Sequence, residues 1–185
     1  MIMTLDEILN TSIHGKVIAF PTDTVYGIGA LLHDTEAIEN VYAIKRREVK
    51  KPLAILCGSI EDVKNLSENY SDFESLAKAH WPGALTLVVQ KSNQVPCSVT
   101  RGLKTVGVRI PADETARRIL KTFGPMAVTS LNLSGEPPIH TFEAAKAYKD
   151  RVDILVEGGD LDGMASTVYD TLQGVTLRQG SIVVK

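Results

Sequence analysis

The sequence predicts a globular domain of the α/β or α+β class with a mixed sheet. Apolar residues recur about every four positions in some segments and form short continuous runs in others, which is typical of alternating helices and strands. Short connections join the last apolar runs, and this predicts an antiparallel end to the sheet. With 185 residues, 44% hydrophobic and 23% charged, the chain is expected to form one domain over residues 1–185, and disordered and collagen-like classes are excluded.

Helical spacing of apolar residues occurs in six segments. Ser71 with Glu74, and Ser59 with Asp62, match the capping box that begins a helix. We therefore expect helices to begin at these two serines. The six predicted helices span residues 5–12, 35–46, 60–69, 72–79, 114–123 and 142–148.

Short apolar runs with many β-branched residues predict nine strands. The last three of these runs lie close together in the chain, and they are the ones expected to pair antiparallel. The nine predicted strands span residues 17–20, 53–56, 85–90, 106–110, 126–128, 153–156, 167–169, 175–177 and 182–184.

The N-terminus and the cysteines exclude several classes of protein. Acidic Asp6 and Glu7 lie in an N-terminal segment without a long apolar run, so we expect neither a secretory signal nor a membrane span, and a cytoplasmic location. Cys57 and Cys97 form no CxxC pair, which predicts neither a disulfide framework nor a zinc site. The four histidines share no motif, and no catalytic role is predicted for them.

A hydroxyl-rich stretch, FPTDTVYGIGAL at residues 20–31, is too polar for a buried strand. Two interpretations are open. It is either a surface strand that ends in a glycine turn, or a segment that presents hydroxyl groups to a ligand. If the stretch is extended, alternation places Thr22, Thr24 and Tyr26 on one face.

Positive charge is concentrated in KRREVKK at residues 45–51, which holds five cations and one acid in a chain of formal net charge −2. The cluster is either a solvated helix C-terminus, where cations are favourable, or a site for phosphate groups. GxxxxGK[ST] is absent from the sequence, and Leu32 takes the third glycine position of GxGxxG. A nucleotide would therefore need groups from several segments.

Three further segments carry such groups. Ser130 and Asn132 follow a predicted strand and lie two residues apart, so they share a face if extended; they are either a polar pair for a ligand or ordinary turn residues. Arg109 lies within a strand-like run, where its side chain either faces solvent or donates two hydrogen bonds to a carboxylate. The late segments ASTVYD and TLRQGS contribute Ser166, Thr167 and Arg178.

Taken in order, the motifs KVIAFPTDTVYGIGA, IKRREVKKPLAIL, HWPGALTLVV, VGVRIP, TSLNLSG, ASTVYD and LRQGSI resemble the YrdC-like family of L-threonylcarbamoyladenylate synthases. The resemblance runs from about residue 6 to the C-terminus. It implies a twisted open mixed sheet with flanking helices and a concave basic cleft. It also implies a nucleotidyltransferase that forms threonylcarbamoyl-AMP and pyrophosphate from L-threonine, bicarbonate or CO2, and ATP. That product serves N6-threonylcarbamoyladenosine modification at position 37 of tRNA by a downstream transferase complex.

Site residues follow from the same resemblance. Lys45 and Arg47 are expected to act in catalysis by neutralising phosphate charge, and Mg²⁺ is expected to be held mainly by phosphates and water, with no metal site of the protein's own. The expected ATP contacts are Lys45, Arg47, Lys51, Thr105, Ser130, Asn132 and Arg178. The expected L-threonine contacts are Thr22, Thr24, Tyr26, Arg109 and Ser166.

At three positions the sequence departs from the family pattern. Glu48 replaces a proline, and an acid there either weakens ATP binding or points outward. Leu131 replaces an alanine and Gln179 a proline. The acidic loop GGDLDG at residues 158–163 is expected to be a solvated turn, the alternative being contact with magnesium.

Two other readings compete with the synthase. A basic cleft could bind the backbone of double-stranded RNA or tRNA without any synthase activity, although the net charge and the 5% aromatic content argue against this as the main role. A carbamoyl-transfer domain of the hydrogenase-maturation type would share the fold. The length of the chain favours the short, single-domain form of the synthase family.

Overall fold

The computed structural model describes residues 1–184. Ten strands form a single sheet. In chain order they are β1 (Ile2–Met3), β2 (Ile18–Phe20), β3 (Gly27–Leu31), β4 (Ala54–Leu56), β5 (Leu85–Gln90), β6 (Thr105–Arg109), β7 (Met126–Ser130), β8 (Ile154–Val156), β9 (Thr167–Asp170) and β10 (Val175–Arg178).

Helices flank this sheet. They are α1 (Leu5–Leu9), α2 (Thr35–Lys45), α3 (Ile60–Leu66), α4 (Tyr70–His80), α5 (Cys97–Thr100), α6 (Glu114–Phe123) and α7 (Phe142–Ala145), with a 3₁₀ helix at Lys146–Tyr148. No helix described within residues 1–184 is long and apolar enough to cross a membrane.

The sheet is open and mixed, with strand order β1-β8-β2-β3-β7-β4-β6-β5-β9-β10. Four pairs are parallel (β1 with β8, β8 with β2, β4 with β6, β5 with β9), and the other five are antiparallel. The predicted α/β fold with a mixed sheet is confirmed. The antiparallel end is also present, because β9 and β10 pair antiparallel.

Both faces of the sheet are apolar, and alternation along the strands separates them. In β7, Ala127 belongs to the larger buried cluster, whereas Met126 and Val128 belong to the smaller one. Helices α1 and α6 cover part of the second face through Ile8 and Ile119. The rest of that face is where the cleft described below lies.

Strand β3 was not predicted, because the two glycines of GIG were read as a turn. Gly29 lies within the strand instead. A Cβ at Gly29 would be 2.3 Å from the Ala127 carbonyl oxygen and 2.7 Å from Val128 Cγ2 of β7. Only glycine allows so close an approach of the two strands.

Other boundaries differ from the predictions for reasons visible in the tertiary structure. Helix α4 begins at Tyr70, so Ser71 is already helical and its predicted capping box is wrong; Asn69, the N-cap, is instead held by Gln90 of β5. The capping box of Ser59 and Asp62 is confirmed. The predicted strand at residues 182–184 is absent from the described structure. Strand β1 and the one-turn helix α5 were missed, because neither is long enough to produce a periodic pattern.

Candidate active site

An open cleft of about 580 Å³ lies across the middle of the sheet. Small residues on β3, β4 and β6 form part of its floor, namely Gly27, Ala54 and Gly107, so a ligand can approach the backbone closely. Leu56 and Val128 line the cleft and also belong to the smaller apolar cluster, which places the cleft on the face shared with α1 and α6. Polar lining residues are Thr22, Arg47, Thr86, Arg109, Thr129, Ser130, Asn132, Glu136, Ser166 and Arg178.

Arg109, at the end of β6, is the most buried cation of the cleft lining, with 5% of its surface exposed. Its Nε donates to the Gly83 carbonyl (2.9 Å), Nη1 to Thr24 Oγ1 (3.0 Å) and Nη2 to Asp23 Oδ1 (2.6 Å). Burial lowers the pKa of Arg109, and the Asp23 carboxylate opposes that shift. A guanidinium has five N–H groups, so one on each terminal nitrogen lacks an acceptor within residues 1–184. A carboxylate ligand could accept both.

The hydroxyl-rich stretch before β3 forms a turn rather than an extended segment. Thr22 Oγ1 accepts from the backbone N–H groups of Thr24 (3.1 Å) and Val25 (3.3 Å), which bends the chain. The expectation that Thr22, Thr24 and Tyr26 share one face is therefore wrong. Thr22 lines the cleft and Thr24 contacts Arg109, but Tyr26 lies in the main apolar cluster.

The acidic loop at residues 158–163 packs on this turn through Gly158 and Gly163, while its acids Asp160 and Asp162 are exposed, as expected for a solvated turn. The Tyr26 hydroxyl donates to the Gly159 carbonyl (2.9 Å), and burial raises the pKa of Tyr26 to about 12, so the phenol remains a donor. A Cβ at Gly163 would lie 2.6 Å from the Asp23 carbonyl oxygen. The loop therefore acts as a strap that fixes the turn carrying Asp23 and Thr24.

A second polar group lies on the last strands, next to Arg109. Ser166 Oγ lies 2.8 Å from Thr86 Oγ1, and Arg178 donates to the Ser166 hydroxyl (3.1 Å) and carbonyl (3.0 Å). Together with Arg109 and Thr22, these side chains form what we call the amino-acid end of the cleft, after the ligand expected there. Arg178, expected as an ATP contact, lies at this end, and its contact with ATP stays a prediction. Gln179, a departure from the family pattern, donates to the carbonyls of Gly180 and Ile182 and so closes the turn after β10.

The opposite end, here called the phosphate end, is formed by the C-terminus of α2 and the turn after β7. Arg47, Ser130 and Asn132 line the cleft there. The Arg47 guanidinium donates to the carbonyls of Pro52 (2.8 Å) and Lys51 (3.3 Å). These bonds leave Nη1 and one N–H of Nη2 for a ligand.

Lys45 lies beneath this end, 1% exposed, and its ammonium group is used by the protein. Nζ donates to the Ser130 carbonyl, the Asn132 carbonyl (2.7 Å) and Asn132 Oδ1 (3.2 Å). The Lys45 carbonyl in turn accepts from the Ser134 N–H (2.9 Å). Three acceptors match the three N–H groups of an ammonium, so in this structure Lys45 fixes the Ser130–Asn132 turn. Direct contact between Lys45 and phosphate stays a prediction.

The charge of Lys45 should make nucleotide binding dependent on pH. Burial first, and then repulsion from Arg47, lower its pKa to about 8. Below that pH the ammonium is charged and adds to the positive field at the phosphate end; above it the charge is lost. The KM for ATP, measured between pH 6.5 and 9.5, is therefore expected to rise as the pH passes about 8. The Lys45→Met variant should lack this inflection, and an unchanged profile in that variant would assign the titration to another group.

Lys51 lies at the surface, and its Nζ pairs with Glu48 Oε1 at 2.9 Å. Glu48 thus points outward, which was one of the two alternatives for this position. The contact of Lys51 with ATP is not seen in this arrangement and stays a prediction. Thr105 is the first residue of β6 and lies on the same face of the sheet as Arg109, the last residue of that strand. Thr105 is not part of the cleft lining.

Removing the Glu48 charge is expected to have a small effect. The ion pair with Lys51 is exposed, and such pairs contribute less than about 1 kcal/mol. Glu48→Gln should therefore change the KM for ATP by less than about fivefold, in the direction of tighter binding, as measured at low and at physiological salt. A much larger gain in affinity for ATP would show that Glu48 opposes phosphate binding directly.

Leu131 is fully buried in the larger apolar cluster, and its N–H donates to the Tyr26 carbonyl at 2.7 Å. This side chain faces the core rather than the cleft, so the larger residue is accommodated away from any ligand. The sequence did not indicate three polar residues of the cleft lining, namely Thr86, Thr129 and Glu136. It also did not indicate Asp23, which is outside the lining and contacts Arg109, although it lies inside the hydroxyl-rich stretch as the acid next to a predicted site.

The fold and this cleft define a class, that of α/β proteins with an open sheet and a polar cleft across its strands. The family model described as Telomere recombination (Sua5, YciO and YrdC) matches residues 12–180. The chain belongs to the Sua5/YciO/YrdC family.

Several similar proteins are named as threonylcarbamoyl-AMP synthases. A threonylcarbamoyl-AMP synthase of Pyrococcus abyssi is 39% identical over 174 residues, which are 91% of this chain and 51% of the relative. A threonylcarbamoyl-AMP synthase of Vibrio parahaemolyticus is 30% identical over 181 residues, 95% of this chain and 98% of the relative. The crystal structure of P. abyssi Sua5 complexed with L-threonine matches 98% of this chain and 58% of that one, with 34% identity and a TM-score of 0.92. The chain thus spans about half the length of the P. abyssi relative.

Proposed function

We propose that the protein is an L-threonylcarbamoyladenylate synthase, which forms threonylcarbamoyl-AMP and pyrophosphate from L-threonine, bicarbonate or CO2, and ATP. The observation that carries the proposal is the presence of two different polar ends in one cleft. Arg109 with two free N–H groups suits an amino-acid carboxylate, and Arg47 beside Ser130 suits a phosphate. The names of the relatives and the threonine complex of P. abyssi Sua5 support the same assignment.

In the proposed reaction the threonine carboxylate is held by Arg109, with Ser166 and Thr22 nearby. The threonine ammonium first loses a proton to solvent. The neutral amine nitrogen then bonds to the carbon of CO2 and releases a second proton to solvent, or bonds to the carbon of bicarbonate with loss of water, and either route gives a carbamate. A carbamate oxygen then bonds to the α-phosphorus of ATP, and the bond from that phosphorus to the bridging oxygen breaks to release pyrophosphate. Such in-line displacement requires alignment and charge neutralisation more than a nucleophilic side chain.

The phosphate end is proposed to provide that neutralisation. Arg47 contacts the triphosphate, while Lys45 holds the turn of Ser130 and Asn132 and adds its charge from below. Mg²⁺ is proposed to enter with ATP, because magnesium usually keeps phosphate oxygens and water as ligands, and it would reduce the charge on the phosphates. Within the described residues, no group of three or more His, Cys, Asp or Glu side chains is placed to hold a metal.

The decisive test is pyrophosphate release with Mg²⁺ and ATP, when bicarbonate and L-threonine are each present or omitted. We expect release only with both co-substrates, and a strong loss in Lys45→Ala and Arg47→Ala. Glu48→Gln is the matched control, since it alters charge in the same segment outside the cleft. If wild-type protein released no pyrophosphate yet bound tRNA with steep salt dependence, the RNA-binding module would be the better assignment.

Transfer of the product to a downstream tRNA-modifying complex, any direct contact with tRNA, the cytoplasmic location and the single-domain organisation stay predictions from the sequence. Co-purification with a threonylcarbamoyl-transferase complex, in the presence and absence of L-threonine and ATP, would test the first of them.

A further inference from the structure

The amino-acid end contains an ion pair that the proposed chemistry does not itself require. Asp23 Oδ1 accepts from Arg109 Nη2 at 2.6 Å, and only 17% of the Asp23 side chain and 7% of the Arg109 side chain are exposed. Asp23 lies in the turn formed by Thr22, and the strap packs on its backbone, since a Cβ at Gly163 would lie 2.6 Å from the Asp23 carbonyl oxygen. The backbone of Asp23 is therefore held by the chain on both sides, and its carboxylate by Arg109.

The two ends of the cleft differ in how their cations are compensated. Arg109 has a carboxylate in direct contact, whereas Lys45 and Arg47 donate to carbonyl and amide oxygens, with no ion-pair partner among residues 1–184. Arg178 lies near Arg109 and contributes to lowering its pKa, and its own donors go to Ser166. Without Asp23, Arg109 and Arg178 would be two neighbouring uncompensated cations.

We propose that Asp23 is a specificity-determining residue of the amino-acid end, which cancels the charge of Arg109 and fixes its guanidinium so that the pocket takes a zwitterionic amino acid and rejects phosphate anions. This inference rests on the proposed function for the identity of the amino acid.

Two physical effects support the role. First, the Asp23 carboxylate adds a charged acceptor to those of Gly83 and Thr24, and the three together fix the planar guanidinium, so its free N–H groups remain aligned for a carboxylate. Second, an amino acid carries an ammonium as well as a carboxylate, and a bare pair of arginines would repel the ammonium while attracting phosphate or pyrophosphate. With Asp23 present, Arg178 is the one cation at the amino-acid end without a carboxylate in contact in the described part of the chain, whereas Lys45 and Arg47 both lack one, so the polyanionic triphosphate is favoured at the phosphate end.

The test measures binding by calorimetry, with L-threonine and inorganic phosphate as separate probes and in competition. Three variants are compared with wild type. Asp23→Asn keeps the shape and removes the charge. Asp23→Glu keeps the charge. Asp113→Asn is the matched control, because Asp113 is a neighbouring acid that caps α6 through the Ala116 N–H (2.8 Å) without contacting Arg109, and Asn is an equally good cap.

Asp23→Asn is expected to weaken L-threonine binding by about tenfold or more and to strengthen phosphate binding by about fivefold or more. Asp23→Glu should restore the rejection of phosphate, and Asp113→Asn should resemble wild type in both measurements. If Asp23 had a purely structural role, Asp23→Asn would weaken the binding of both L-threonine and phosphate. Equal threonine affinity in Asp23→Asn, or unchanged phosphate affinity, overturns the proposal.

Wild-type protein provides a second test that does not depend on the folding of a variant. Phosphate should not displace L-threonine from wild type at concentrations that saturate the phosphate end, and competitive displacement would overturn the inference. The proposed function is judged separately, by pyrophosphate release. If release is intact and the binding predictions fail, only the role of Asp23 is lost; if wild type neither releases pyrophosphate nor binds L-threonine, both proposals fail.

Discussion

Replacing Arg109 by Lys is expected to lower kcat/KM for L-threonine by about 10²-fold or more, while the KM for ATP changes little. Lysine keeps the charge but lacks the planar guanidinium with its five N–H donors. It therefore cannot donate at the same time to the Gly83 carbonyl, Thr24, Asp23 and a substrate carboxylate. The measurement is steady-state pyrophosphate release with each substrate varied in turn.

A matched control is available in Arg101, which makes a two-point pair with Glu39 at 2.7 and 3.0 Å away from the cleft. Arg101→Lys should lower thermal stability modestly and leave the KM for L-threonine unchanged. If Arg109→Lys raised the KM for ATP as much as that for threonine, Arg109 would not be a threonine contact. Thermal melting of both variants separates loss of fold from loss of binding.

Replacing Lys45 by Met is expected to weaken AMP binding as much as ATP binding, each by about tenfold or more. The reason is that the Lys45 ammonium is bonded to the turn of Ser130 and Asn132 and lies below the surface of the cleft. Loss of these bonds should disorder the turn that receives the nucleotide, whichever phosphates the nucleotide carries. Direct binding of ATP and AMP, measured without L-threonine, gives the two affinities.

Arg47→Met is the comparison for this experiment. Arg47 lines the cleft and keeps free N–H groups. Its loss should weaken the binding of ATP by about tenfold to a hundredfold and the binding of AMP much less. This is the effect expected for charge-assisted hydrogen bonds of about 1.5–3 kcal/mol to the outer phosphates. If Lys45→Met behaved like Arg47→Met, Lys45 would have to turn toward the β- and γ-phosphates when ATP binds, as the sequence resemblance predicts.

Residue types and their order in the chain were sufficient to predict the class of fold and the segments that meet at the cleft. Arg109, Ser166, Ser130 and Arg47 all line it, although they come from four separate segments. Arg109 and Ser130 could be predicted because they are polar residues within or after strand-like runs, and Arg47 because it belongs to the basic cluster. The assignment of Ser166 to a ligand came from the family resemblance.

The direction of individual side chains could not be predicted. The resemblance places Tyr26 at the site, and alternation would put it on one face with Thr22 and Thr24, but the bonds of Thr22 to the next backbone N–H groups turn the chain before alternation can apply. The resemblance also predicts that Lys45 contacts phosphate, and its burial depends on carbonyls some 85 residues later in the chain. Strand β3 was hidden for the same reason, since the need for Gly29 arises from its partner strand β7. Each of these outcomes depends on tertiary contacts, which a local pattern does not contain.

The strap over the turn that carries Asp23 and Thr24 also affects the order of folding. Its bond from Tyr26 to Gly159 joins residues 133 positions apart, so during synthesis it can form only after the chain through β8 exists. Contacts of such high sequence separation form late, because chain entropy must be lost before they stabilise anything. During synthesis or refolding, affinity for an amino acid should therefore appear after the sheet has formed, and it would report the last step by which the protein becomes native.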